Sequence, residues 1–357
     1  MQLTAETVAV YKSKAPELMA AVTTGEAEFI MKRDEATDRC VKFESGLCSI
    51  HRDYTDAFLG DACHFYPRIT RALGGTIITT AVLSCPETAR LMLYDEGGLD
   101  FTPREEVRVP YSLRNYLPNG LDEATALSIH QAFLSMALDD AVPAEHALMR
   151  IMAVAKGLDL QPVTSWQEAI PLYTMLADGR IPAAQPHPAD IYNVVHALSG
   201  LVRASGKCRP PLQTLMDRLT EKLGMTFDAN GGVVLSAGAS ALAVQLIAAS
   251  KQQSHAVQPI LRRYLAAQIS QALFPFSGAG ATLSARMTVI GVRFALVKWA
   301  LATLGEQTSP DHVVPTIQII SRFIDHLADP TLLLAICEET GWSSEARLRA
   351  LIDDPDV

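Results

Sequence analysis

The strongest constraint on this chain is a succession of helix-period apolar patterns that begins after Asn119. They run from Asp122 to Leu138, Ala144 to Gly157, Ser165 to Ala177, Pro188 to Ser205 and Pro211 to Leu223. Start signals accompany several of them: Ser309-Pro310 pairs an N-cap residue with proline at the first helical position, Pro188 opens its pattern similarly, and Ser343 precedes the last amphipathic stretch. Gly157, Gly224 and Gly305 stand where helices should stop, and Asn230-Gly231-Gly232 and Ser277 to Gly280 read as loops. With 49% apolar residues among 357, the chain can bury a sizeable core. The expected fold is mainly α, with a helical domain of about ten helices over 116–357, arranged as a bundle or array. Arg180 to Pro188, with three prolines, is the best linker.

The first 115 residues have another texture. Thr4 to Val22 predicts a helix that presents Val8, Tyr11, Leu18 and Val22 on one face. From Arg39 to Pro110 the sequence is irregular and rich in Cys, Gly, Asp and Arg, with one β-branched stretch, Thr76 to Leu83, that predicts a strand or half of a hairpin. Residues 1–115 are therefore expected to form an N-terminal helix and a small cysteine-rich loop and β module.

A formal charge of -9, with both signs interspersed, argues against nucleic acid or an anionic membrane as partner. The most apolar stretch, Arg286 to Leu304, is interrupted by Arg293 and Lys298, so no membrane span is expected. The opening MQLTAETVAVYKSK lacks the apolar core of a secretory signal, which gives a cytoplasmic expectation. In a reducing compartment cysteines are thiols or metal ligands rather than structural disulfides.

Four of the six cysteines, Cys40, Cys48, Cys63 and Cys85, fall within 46 positions. Four thiolates complete a tetrahedral zinc site or the terminal positions of a four-iron cluster. None of the spacings is the two-residue step of a zinc ribbon, so buried, chemically silent thiols remain the competing reading. His51 and His64, each just after a cysteine, are substitute ligands or outer-shell partners. Cys208 and Cys337 stand apart and are expected to be structural.

These cysteines carry a resemblance. RCVKFESGLCSIHRDYTDAFLGDACHFYPRI followed by TAVLSCPETARLML resembles the cysteine-rich region of flagellin lysine-N-methylases, in order, in most flanking residues and in all four cysteines. RYLAAQISQALFPF, VIGVRFALVKWAL and TIQIISRFIDH are similar, more loosely, to that family's C-terminal helices. The family's usual leading element, of the type C-I-G-x-x-C-E-D-x-C-C, is missing from this chain. The resemblance implies methyl transfer from S-adenosylmethionine to a lysine amine of a protein such as flagellin. It also implies an iron–sulfur cluster, or zinc, on Cys40, Cys48, Cys63 and Cys85, with Arg68 beside it to hydrogen-bond a sulfur or a carbonyl. The alternatives are an iron–sulfur or zinc protein without transferase activity, and a helical scaffold with bare thiols.

No residue pattern places the methyl donor. The glycine-rich turn of α/β methyltransferases is missing, and no loop carries the three closely spaced cysteines of a radical S-adenosylmethionine enzyme. SGAGATLS, Ser277 to Ser284, is the nearest anion-binding turn, and a plain helix connection explains it as well. Arg293, Arg322 and His326 are the remaining cofactor-binding candidates: Arg293 and Lys298 interrupt an apolar helix, and Arg322 and His326 share a face one turn apart. A structural salt bridge, to Asp325 or to a neighbouring helix, is the competing account of these charges.

Overall fold

The computed structural model describes residues 2–24, 29–35, 39–45, 47–103, 109–110, 113–178, 188–205, 210–228, 232–325 and 331–352. The chain divides into two compact units, 1–70 with 104–114, and 71–103 with 115–357. The stretch that holds Cys85, expected with the other three cysteines, therefore goes with the helices.

In the first unit, β1 (Gln2–Leu3), β2 (Val22–Thr24) and β3 (Phe29–Met31) form an antiparallel sheet in the order β1-β3-β2. Helix α1 (Ala5–Lys14) starts where the Thr4 hydroxyl accepts the Thr7 N–H, and Lys12 and Lys14 suit its last turn. The single helix expected over 4–22 breaks at Ala15. Pro16 forces the preceding residue out of the α region, to φ -153 and ψ 63, and a 3₁₀ turn, Pro16–Ala21, follows. Val8, Tyr11, Leu18 and Val22 are nonetheless all buried, and with Leu3, Met31, Ile50 and Leu59 make most of this unit's core. Among the described residues it also contains the paired strands β4 (Phe43–Glu44) and β5 (Leu47–Cys48), helices α2 (Ser49–Asp53) and α3 (Asp61–Phe65), and a 3₁₀ turn, Asp56–Phe58, between them.

Strands β6 (Arg68–Leu73) and β7 (Thr76–Ala81) form a ribbon, and α4 (Pro86–Tyr94) follows. Gly74, at φ +65, makes the turn, and Glu123 clamps it by accepting Gly75 N–H at 2.6 Å and the Thr76 hydroxyl at 2.9 Å. Then come α5 (Glu123–Leu138), α6 (Ala144–Leu158), α7 (Trp166–Asp178), α8 (Pro188–Ser205) and α9 (Pro210–Leu223), each within two residues of its expected bounds. Gly224, at φ +61, ends α9 before the hairpin β8 (Met225–Phe227) and β9 (Val233–Leu235). Gly157 instead lies inside α6, and the proline-rich linker lies largely outside the described residues.

Helix α10 (Ala239–Ala272) packs along α11 (Leu283–Ala302), and α12 (Pro310–Ile324), α13 (Thr331–Glu339) and α14 (Glu345–Ile352) close over α11. Helix α11 has almost no solvent face: from Met287 to Ala302 only Arg293 escapes full burial. Ser309 occupies the N-cap position of α12, with Pro310 at its first position, as expected, although its side chain makes no capping bond. The fold is mainly α, and among the described residues no helix is long and apolar enough to cross a membrane.

Candidate metal centre

Three separate local structures of the first unit each present one cysteine. Cys40 lies in an isolated bridge to Arg33 and accepts the Phe43 N–H at 2.9 Å, which fixes the turn into β4. Cys48 pairs with Phe43 across the β4–β5 ribbon and is also the N-cap residue of α2. Cys63 sits in α3, its N–H bonded to Gly60 O at 2.9 Å. All three are half-buried thiols packed against the unit's core.

They line one cavity of about 380 Å³. Tyr11 joins them there, its hydroxyl donating to Phe58 O at 2.7 Å and its ring stacked on Phe58. Burial, and then the neighbouring Cys48 and Cys40, push the Cys63 thiol up to about 11. Burial and then the fields of Cys63, Cys48 and Cys40 push the Tyr11 phenol up to about 12. One phenol therefore feels all three sulfurs. Cys63 is a protonated thiol at neutral pH, and a cation that replaces its proton relieves both burial and repulsion.

The donor chemistry fits a thiophilic metal: soft sulfur ligands, partly shielded from water, on one cavity. Among the described residues, though, no three His, Cys, Asp or Glu side chains are grouped closely enough to hold an ion as they stand.

The other expected site residues are distributed as follows. Arg68 lines the same cavity and donates to His64 O at 2.6 Å. His51 and His64 line it too, His51 facing Asp56 at 3.5 Å. Cys85, half-buried, is the N-cap residue of α4 in the second unit. Arg293 pairs with Asp325 at 3.2 Å and reaches Gln268 Oε1 at 3.3 Å, the salt bridge weighed above. Lys298 has a partner as well, Glu145 at 2.8 Å. Arg322 is exposed on α12, while His326 and Cys208 lie outside the described residues. Cys337 is buried, and burial pushes its thiol up to about 12.

The anion-binding turn at Ser277 to Ser284 is corrected by an internal carboxylate. Asp159 accepts Leu283 N–H at 2.7 Å, Ser284 N–H at 3.0 Å and the Ser284 hydroxyl at 2.6 Å, so the N-terminus of α11 already holds its anion. Of the polar cavity residues, Tyr11 is read from the sequence only as part of a helix face, and Lys42 is not singled out. Tyr11 is indistinguishable by pattern from the core residues around it, and the signal for Lys42 was its place two residues after Cys40. The chain matches no known family model, no curated protein and no solved structure.

Proposed function

We propose that the first unit is a cysteine-ligated metal module, carrying an iron–sulfur cluster or zinc, within a lysine-N-methylase-like protein. The observation that carries this reading is the convergence of Cys40, Cys48 and Cys63, from three different local structures, on one cavity. The resemblance supplies the reaction class; Cys85, the fourth cysteine it implies as a ligand, belongs to the second unit. In that reaction a neutral lysine nitrogen of a protein such as flagellin bonds to the methyl carbon of S-adenosylmethionine, the sulfonium S–C bond breaks, and the amine gives up a proton. A bound zinc ion would supply Lewis acidity, and a cluster would supply redox capacity. Of the chain's own residues, Arg68 and Lys42 offer positive charge at the cavity, and Tyr11 gives it a buried hydroxyl tied to Phe58.

Metal and acid-labile sulfide analysis of anaerobically purified protein tests the module. About four iron and four sulfide per chain, lost in Cys63→Ser, is the expected result, and one zinc without sulfide identifies the other metal. Absence of any metal in wild type would sink the reading. Transfer of labelled methyl to flagellin by loaded protein, and not by Cys63→Ser, tests the enzyme. Stoichiometric metal without transfer leaves a metal protein without this activity.

A further inference from the structure

In the second unit, a buried row of polar side chains runs from Arg293 to the C-terminal end of α10, and Arg293 dictates its polarity. A guanidinium can only donate, so the Arg293 Nη1–H, 3.3 Å from Gln268, requires that amide to present Oε1. The Gln268 Nε2–H₂ group then points along the helix to Gln271, which answers with its own Oε1 at 3.3 Å. Gln271 is left with Nε2 at the end of the row, and that nitrogen, on a residue 7% exposed, has no acceptor. Turning either amide over would set donor against donor, so the unpaired N–H follows from the guanidinium two links away. A buried donor without a partner costs free energy that an apolar residue of the same shape would not.

Arg71, on β6, meets the same end of α10. Its Nη1 donates to the Gln271 carbonyl, and its guanidinium lies over the Tyr116 ring at 5.9 Å. Both partners are neutral. Burial lowers the Arg71 pKa, and among the described residues only the Tyr116 phenol opposes that shift, with no carboxylate contributing. The negative end of α10 offsets roughly half of the charge. Farther along the row Arg293 and Asp325, 3.2 Å apart, balance each other. The end of α10 therefore carries about half a positive charge, the unpaired Gln271 Nε2–H₂ and the remaining N–H groups of Arg71.

We propose that Arg71 and Gln271 form a binding site for one small monocarboxylate, whose oxygens accept from the Gln271 Nε2–H₂ group and from the guanidinium. The planar fork of an arginine matches a carboxylate, and a doubly charged phosphate would exceed the charge available to balance it. Arg71 is partly exposed and Gln271 is buried, so the acid enters past Arg71. That depth suits a free small acid and not a side chain on the surface of a folded partner. The site lies in the second unit and requires no metal, so it goes beyond the reading given above.

The test uses full-length, chelated protein labelled with ¹⁵N, and acetate as probe, with acetamide and chloride as controls at constant ionic strength. The Gln271 side-chain amide signal, identified by its absence from Gln271→Leu, is expected to move with acetate in a saturable way and to ignore both controls. Arg71→Gln should weaken acetate about tenfold at an unchanged urea midpoint. Gln271→Leu removes an unpaired buried donor, so it should be no less stable than wild type, and it should lose the acetate-dependent rise in midpoint that wild type shows. A Gln271 signal indifferent to acetate overturns the proposal. An equal response to acetamide or chloride overturns it too, and so does undiminished acetate binding in Arg71→Gln. None of these outcomes bears on the metal reading, because the protein is metal-free throughout.

Discussion

At the scale of single residues, the thiol cavity makes the metal-free fold sensitive to alkali. Cys63, raised from 9.0 to about 11, favours the folded state while protonated, so its contribution is complete below pH 9 and lost as pH rises through about 11. Tyr11, raised from 10.0 to about 12, extends the loss upward. Urea midpoints of the first unit should therefore fall across this window in chelated protein, and Cys63→Ala should flatten its lower part. An unchanged slope in that variant would show that Cys63 is not the group involved. In the second unit, Lys298 and Glu145 are both buried, Lys298 also donating to Ile352 O at 2.6 Å and Glu145 accepting from Gln258 at 2.6 Å. Lys298→Met should cost ~3–5 kcal/mol by urea unfolding, and the Lys298→Met, Glu145→Leu double variant less than the sum of the single changes. The density of cysteines made the candidate ligands legible in the sequence. Which of them share a cavity was not, because that depends on the proximity of Tyr11 to Phe58 and Cys63, both far from it along the chain.

At the scale of elements, helices with strong local signals were legible to within two residues, from α5 to α9. Periodicity and caps act over one or two turns, so a linear reading captures them. The break at Ala15 was legible in principle, since Pro16 restricts its neighbour, but the apolar spacing carried straight through it. The start of α11 could not be read locally. Its partner, Asp159, is 124 residues from Leu283, and only the folded chain brings that carboxylate to the helix end. Asp159→Ala removes three hydrogen bonds and a favourable charge at a helix N-terminus, and should destabilise the second unit by ~1–2 kcal/mol. Asp159→Asn keeps one of the two accepting oxygens and turns the other into a donor, so it should cost less than Asp159→Ala. Equal losses in the two variants, measured by urea unfolding, would mean that the acceptor kept in asparagine adds nothing.

At the scale of the whole molecule, the division into two units predicts a localised response to metal. At a hundredfold excess over its dissociation constant a ligand stabilises its site by ~2.7 kcal/mol. Hydrogen exchange should therefore slow in α1, the β4–β5 ribbon and α3 on loading, and stay unchanged in α5, α6 and α11. Uniform slowing across both sets would contradict an effect confined to the first unit. The burial of α11 has a different consequence, for synthesis. The indole of Trp299 donates to Leu351 O at 2.9 Å across 52 residues, and Leu348 packs on Gly291, so α14 covers a face that emerges from the ribosome well before it. At ~5–20 residues per second, that face waits about three to ten seconds for its cover. A nascent chain at this stage still exposes the face of α11 that α14 will cover, an apolar strip that a chaperone can hold.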